Sequence, residues 1–386
     1  MKQLLLAMFS LVTFRLAAQI DSADNRIDSF LLHQKGLIGK LARNLVANRA
    51  PGPSTPVRND LFFERYRGRV IRSVTIRRLD FGTSITDTSR TLKTMLTRLA
   101  NEFHHKTTEN VIRNNLFFRP GDTLIPYLFA DNERHLRDLP FLQDARISAR
   151  KVGADSVDVT IFTKDVLSLG GDFRMHNTTK VSLALSEDNL AGTGHELLLR
   201  TFFDNKRNPK FAEGAEYTGR NLGGSFIDWN AGFLSFNKNF TTGSQNEETV
   251  YSGLERPLVN PYMKFTYAAN VAWHETHEVY ALDTAYDFNT RYRYYNYDAW
   301  AGWNTGAFKL SGEANRDNRA RTLIALRYLQ QRFSQVPGKY QGDYFYQYAD
   351  IKAILGSVTI FRQDFYKTSY VYGFGLTEDI PEGADI

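Results

Sequence analysis

The chain of 386 residues carries 48 Lys and Arg against 42 Asp and Glu, is 42% hydrophobic and 13% aromatic, and contains no cysteine. That composition suits two folded domains and excludes a disordered chain, while the missing cysteine excludes disulfides, thiol nucleophiles and cysteine-bound zinc. The net charge of +6 is mild and scattered, leaving no basic tract, so no nucleic-acid partner is expected.

Residues 1–19, MKQLLLAMFSLVTFRLAAQ, read as a signal peptide. Lys2 supplies the positive start, residues 4–14 are apolar, and Ala17-Ala18 offer small residues for cleavage, although Arg15 interrupts the pattern. Residues 20–56 follow as an amphipathic helix and a Pro-rich linker: Ile27, Phe30, Leu31, Leu37, Ile38, Leu41 and Leu45 recur at helical spacing before PGPSTP. No later run is long and apolar enough for a transmembrane helix, which a barrel of alternating strands would not need.

Residues 57–165 alternate between short strands and helices. RVIRSVTIRRL places Val74 and Ile76 on one strand face. Leu92, Met95, Leu96, Leu99 and Phe103 predict a helix over 90–103. A second helix starts near Thr107 as N-cap and buries Val111, Ile112 and Leu116; a third begins at Pro126, buries Ile125, Leu128, Phe129, Leu136 and Leu139, and is closed by Pro140. Two strands come next, with Ala145, Ile147 and Ala149 alternating with Asp144, Arg146, Ser148 and Arg150, and then Val157, Val159 and Ile161 after a turn at Gly153. One helical face and one sheet face would close over a small core.

Residues 166–386 are dominated by period two. Val181, Leu183 and Leu185 oppose serines and alanine; Ile227, Trp229, Ala231 and Phe233 oppose Asp228 and Asn230. In MKFTYAANVAW the residues Phe265, Tyr267, Val271 and Trp273 share one face, assigned to lipid, against Lys264, Thr266 and Asn270. Such runs match the roughly 9–11 residues of a tilted transmembrane strand and exceed the usual strand of a soluble sandwich. RYRYYNYDAWAGW would lie in an aromatic girdle.

TTENVIRNNLFFRPGD, DNERHLRDLPFLQDARI and DSVDVTIFTKD resemble successive parts of a POTRA domain, and SEDNLAGTGHELLLR with LERPLVNPYMKF resembles the opening hairpins of the surface-antigen barrel superfamily. That superfamily holds the BamA and TamA-type outer-membrane assembly factors and the two-partner secretion transporters. The likeness implies an α+β POTRA-like domain followed by an antiparallel transmembrane β-barrel, of which about 12 of about 16 strands are legible. GLTEDIPEGADI reads as a polar Pro-Gly segment with no terminal aromatic strand and no Val-Arg-Gly loop motif, so a C-terminally truncated chain is expected.

The resemblance further implies a client-binding edge along Leu142, Gln143, Asp144, Ala145, Arg146, Ile147, Ser148, Ala149 and Arg150, where an extended segment adds a strand. It also implies a weak barrel seam at Leu169, Gly170, Gly171 and Asp172, where glycine brings no cross-strand side chain. A charge-protected edge and a simple bend are the respective alternatives.

Several patterns are set aside. His274 and His277 in WHETHE lie three apart on a strand and face opposite sides, unlike a helical metal pair. His104-His105 meets no carboxylate pair by spacing. There is no G-x-S-x-G elbow, no Walker loop, and Gly192-Thr-Gly194 lacks a third glycine. Neither enzyme activity, metal nor cofactor is expected. The basic strip holding Arg65, Arg67, Arg69, Arg72, Arg77 and Arg78 reads first as a solvated strand face. The expectation is an outer-membrane protein with a periplasmic N-terminal domain. Its partners would be the lipid bilayer, unfolded outer-membrane or secreted proteins, and accessory lipoproteins. A passive pore and a soluble periplasmic binding module are the rival readings.

Overall fold

The computed structural model describes residues 57–81, 83, 85, 104–280, 285–305, 321–369 and 377–385. The signal peptide, the helix and linker of 20–56, the helix expected over 90–103 and Tyr372-Gly373-Phe374 lie outside the described residues. Two compact units are present. The first holds the described parts of residues up to 104, with 116–166 and 362–384; the second holds 105–115 and 167–361. Residues 105–115 thus belong with the strands after 166, and 362–384 with the first unit.

In the first unit a three-stranded sheet runs in the order β2-β4-β3, built from β2 (Val70–Leu79), β3 (Leu142–Val152) and β4 (Ser156–Asp165). β2 is parallel and β3 antiparallel to the central β4. β4 alternates without a fault, burying Val157, Val159 and Ile161, which fits its place between two neighbours. In β2 a register shift between Ile71 and Ser73 lets Ile71 and Ile76 both face inward despite their odd spacing. Helix α2 (Pro126–Asp138) lies with its Phe129 and Leu136 in the core beside Phe63, Phe118 and Phe141; Pro126 sits in the first turn. Phe118 and Phe129 stack with centroids 4.0 Å apart.

One expectation for this unit is overturned. Asp144 is buried rather than on the polar face, because a register shift between Leu142 and Asp144 puts Asp144 and Ala145 inside together. The back of α2 is also covered: Asp131, Asn132, Glu133 and His135 are buried. Phe117 lies against Asn132 and His135, while Lys367 reaches Glu133 and the Phe365 ring lies 4.1 Å from the Arg134 guanidinium. Within the unit the short β1 (Val57–Arg58) pairs with Lys367 and Tyr366. GLTEDIPEGADI is not an irregular tail: Thr377–Asp385 forms β15, which pairs with β14 (Ile351–Ser369), and an edge strand of this kind tolerates Pro381.

The second unit is an antiparallel meander. Its strands are β5 (Leu169–Asn177), β6 (Lys180–Glu187), β7 (Glu196–Asp204), β8 (Phe211–Gly219), β9 (Asp228–Lys238), β10 (Gln245–Arg256), β11 (Phe265–Thr276), β12 (Arg293–Asn304), β13 (Arg321–Gln335) and the first part of β14. Each pairs with its sequence neighbours. Among the described residues β5 pairs only with β6 and ends the sheet. Eleven strands, β5–β15, follow residue 166 among the described residues, close to the dozen read from alternation. The short helix α1 (Glu109–Asn114) belongs to this unit, with Thr108 rather than Thr107 at its N-cap.

Candidate functional site

Leu142 to Arg150, the expected client edge, lies on β3, which among the described residues pairs only with β4. Ala145, Ile147 and Ala149 point into the core and Gln143, Arg146, Ser148 and Arg150 outward. Its main chain is not bare throughout. Ile147 donates its N–H to Glu133 Oε2 at 2.7 Å, and the Ala145 carbonyl accepts from Arg137 Nη1 at 3.0 Å. Asp144 Oδ1 accepts from the Ala145 N–H at 2.8 Å.

Glu133 and Arg137 sit one helical turn apart on α2 and pair at 2.7 Å, with only 5% and 4% of their side chains exposed. Burial alone would push the Glu133 carboxyl up, yet Arg137, Lys367 and the Ile147 N–H together hold it below its ordinary value. Burial would lower the Arg137 guanidinium, but Glu133 and Asp379 raise it further above its usual range. Burial raises the Asp144 carboxyl, with Arg137 and Thr377 opposing, and it likewise raises Asp138. His135, stacked on Phe117 at 5.1 Å, is driven by burial and by Arg134 down to about 4, so it is a neutral imidazole at physiological pH.

The expected seam residues Leu169, Gly170, Gly171 and Asp172 begin β5, opposite Glu187, Ser186, Leu185 and Ala184 of β6. They therefore lie on the strand that ends the sheet.

Cross-strand register shows what the two faces of the meander carry. Phe265, Tyr267, Val271 and Trp273 of β11 share a face, opposite Trp303, Ala301, Tyr297 and Tyr295 of β12. Phe265 and Trp303 meet edge to face at 4.3 Å. The row continues through Ile324, Leu326 and Tyr328 of β13 to Val358, Gly356 and Ile354 of β14, and on the other side through Val250 and Leu254 of β10 to Phe233 and Trp229 of β9. Nothing described covers it: Val271 is 50%, Leu326 61%, Val358 64% and Ile354 71% exposed. The opposite face is polar. Asn270 opposes Asp298, which takes a bidentate hydrogen-bonded ion pair from Arg327. Tyr251 lies across Gly232, where an added Cβ would come within 2.6 Å of its ring, and donates to Glu216 beyond.

Two hairpin turns carry the same N-L-x-G sequence and hold α1 at its two ends. Asn189 Oδ1 accepts from the Gly194 N–H at 2.8 Å while its Nδ2 donates to Thr107 Oγ1 at 3.0 Å. Asn221 Oδ1 accepts from the Phe226 N–H at 2.7 Å while its Nδ2 donates to Asn115 Oδ1 at 2.9 Å and to the Asn114 carbonyl at 3.1 Å. Each asparagine thus shapes its own turn with one atom and grips the helix segment with the other. Gly192, at φ +75°, gives its carbonyl to the Thr108 N–H at 2.9 Å and could carry no Cβ without striking the Lys106 carbonyl. The sequence reading missed these residues, although the repetition of N-L-x-G was a visible signal.

At the other ends of the hairpins Tyr292, Tyr294 and Tyr348 are buried with Phe333, Val336, Tyr340 and Phe345. The buried Glu247 accepts from Tyr292 Oη at 2.5 Å and lies 2.9 Å from His274 Nδ1, on which the Tyr294 ring stacks at 4.3 Å. His104 Nε2 meets the carboxylate of Asp165 at 2.9 Å, a contact the spacing did not announce. Among the described residues no three His, Asp or Glu side chains converge as a metal-binding set. The basic strip is partly neutralised in place: Arg67 pairs with Glu64 at 2.6 Å and Arg72 with Asp158 at 2.6 Å.

No protein-family model and no curated protein matches the chain. Among solved structures it is similar to BamA from Haemophilus ducreyi lacking POTRA domains 1–3 (14% identity, 92% of this chain and 70% of that one, TM-score 0.35). It is similar also to CdiB from Acinetobacter baumannii (10%, 95% and 85%, TM-score 0.35) and to CdiB from Escherichia coli (9%, 91% and 77%, TM-score 0.35). Among the described residues no helix is long and apolar enough to cross a membrane, which says nothing of crossing by strands.

Proposed function

We propose that the chain is an outer-membrane protein whose strands between residues 167 and 361 form part of a lipid-embedded barrel and whose sheet and helix unit captures extended, unfolded clients for insertion or export. The observation that carries this reading is the register-matched apolar row from Trp229 to Ile354, uncovered over six consecutive strands, with charged and amide side chains on the reverse face. A water-soluble protein rarely leaves so continuous an apolar surface bare, whereas hydrocarbon on one side and water on the other require that division. β3, an edge strand, supplies the place for a client to add itself, and β5, ending the sheet, supplies the seam.

The test is reconstitution. The full chain in liposomes should resist carbonate extraction and accelerate the folding of an unfolded outer-membrane barrel presented from outside. Steady conductance in a planar bilayer without such acceleration would favour a passive pore and defeat the assembly role. Recovery of the intact chain in a detergent-free soluble fraction would overturn the membrane reading itself.

A further inference from the structure

The α2 side chains that close the β3 edge are themselves held by a distant stretch of the same unit. Arg137 uses one edge of its guanidinium for Glu133 and the Ala145 carbonyl. Its other edge, Nε and Nη2, donates to the two carboxylate oxygens of Asp379, each at 2.7 Å. Glu133 Oε1 accepts from Lys367 Nζ at 2.5 Å, and Thr377 Oγ1 donates to Asp144 Oδ2 at 3.1 Å. Asp379 is as enclosed as its partner, with 7% of its side chain exposed. Asp379 and Lys367 are thus seated by opposite charges on Arg137 and Glu133, and Thr377 by its hydrogen bond to Asp144.

We propose that the described stretches 362–369 and 377–384 are a built-in occupant beside α2 and β3, a clamp that keeps the client edge shut until it is displaced by an extended segment of matching charge. Its purpose rests on the client-capture reading; its geometry does not. An incoming strand needs the Ala145 carbonyl and the Ile147 N–H, and both are taken by side chains whose positions Asp379 and Lys367 fix through charge-assisted hydrogen bonds. Removal of the segment leaves the Nε edge of Arg137 and one oxygen of Glu133 without these partners in a poorly hydrated groove, an arrangement that a new acid and a new amine would complete. The partner that fits is therefore an unfolded polypeptide carrying an acidic side chain for Arg137 and a lysine for Glu133.

The experiment is amide hydrogen exchange on the full chain in detergent micelles. Asp379→Asn combined with Lys367→Gln should raise exchange about tenfold or more both at Ile147 and across 377–385, with Glu382→Gln as the surface control. Unchanged exchange at Ile147 while 377–385 loosens, or no change at either, overturns the clamp. Should the charge variant fail to fold, a tether decides. The chain has no cysteine, so Asp144→Cys with Thr377→Cys forms one defined disulfide. Exchange at Ile147 should be at least about tenfold slower in the oxidised than in the reduced form, and equal rates overturn the proposal. Photocrosslinking of an unfolded client at position 148 separates the two readings. Altered exchange without altered crosslinking leaves the clamp standing and removes client capture; unaltered exchange removes the clamp whatever the client does.

Discussion

At the residue scale, the sharpest consequences come from polar groups buried on α2. Arg137 meets two carboxylates and one main-chain carbonyl away from water, so Arg137→Met strands Glu133 and Asp379 as well as removing bonds. A loss of about 3–5 kcal/mol is expected, against about 1 kcal/mol or less for Arg146→Met on the exposed side of β3, measured by denaturant titration of the full chain in detergent. His135 gives a pH dependence of definite sign. Its folded-state value of about 4 lies below that of an unfolded histidine, so the stability it contributes is complete above about pH 6.5 and falls away as the pH drops toward 4. Up to about 3 kcal/mol separates the two limits. The difference in stability between wild type and His135→Phe should shift by that order between pH 7 and pH 4, and a constant difference would show that the imidazole is not titrating as described.

At the element scale, two asparagine turns and one helix act as a unit. Asn189→Ala or Asn221→Ala removes a turn-shaping acceptor and a grip on the helix segment in one step, at about 1–3 kcal/mol each. Hydrogen exchange of Glu109–Asn114 should quicken in either variant, with the β11–β12 ladder unchanged. The outward row makes a contrasting forecast. Val271→Lys should cost about 2–4 kcal/mol in lipid if that position lies near the bilayer midplane, while Asn270→Lys, beside Asp298, should cost far less. Urea unfolding from lipid bilayers reads the difference; equal costs would remove the assignment of the apolar face to hydrocarbon.

For the whole molecule, what the sequence made legible followed from local periodicity. β4, β6, β9 and β11 could be read because every second side chain shares an environment, and α2 because Pro126 and Pro140 mark its limits. What escaped depended on partners distant in the chain. Asp144 looked solvated until a register shift turned it inward, and no local pattern announces that Lys367 and Asp379 meet Glu133 and Arg137 of α2. Segment GLTEDIPEGADI seemed unfit for a strand by composition, yet an edge position asks little of it. That Leu142–Arg150 is a strand was legible from its alternation, but the capping of its Ala145 carbonyl and Ile147 amide by Arg137 and Glu133 is a tertiary fact that no spacing encodes. If the full chain is a folded barrel, unboiled samples should migrate differently from boiled ones in electrophoresis; identical mobility would count against closure of the sheet.

The capped carbonyl of Ala145 and amide of Ile147 have a bearing on solubility as well. A naked strand margin in water invites copies of the chain to stack into aggregates. By turning two ionised side chains onto that margin, α2 makes each molecule a poor template for the next, so variants that bare it should precipitate from water at concentrations where the wild type stays dispersed.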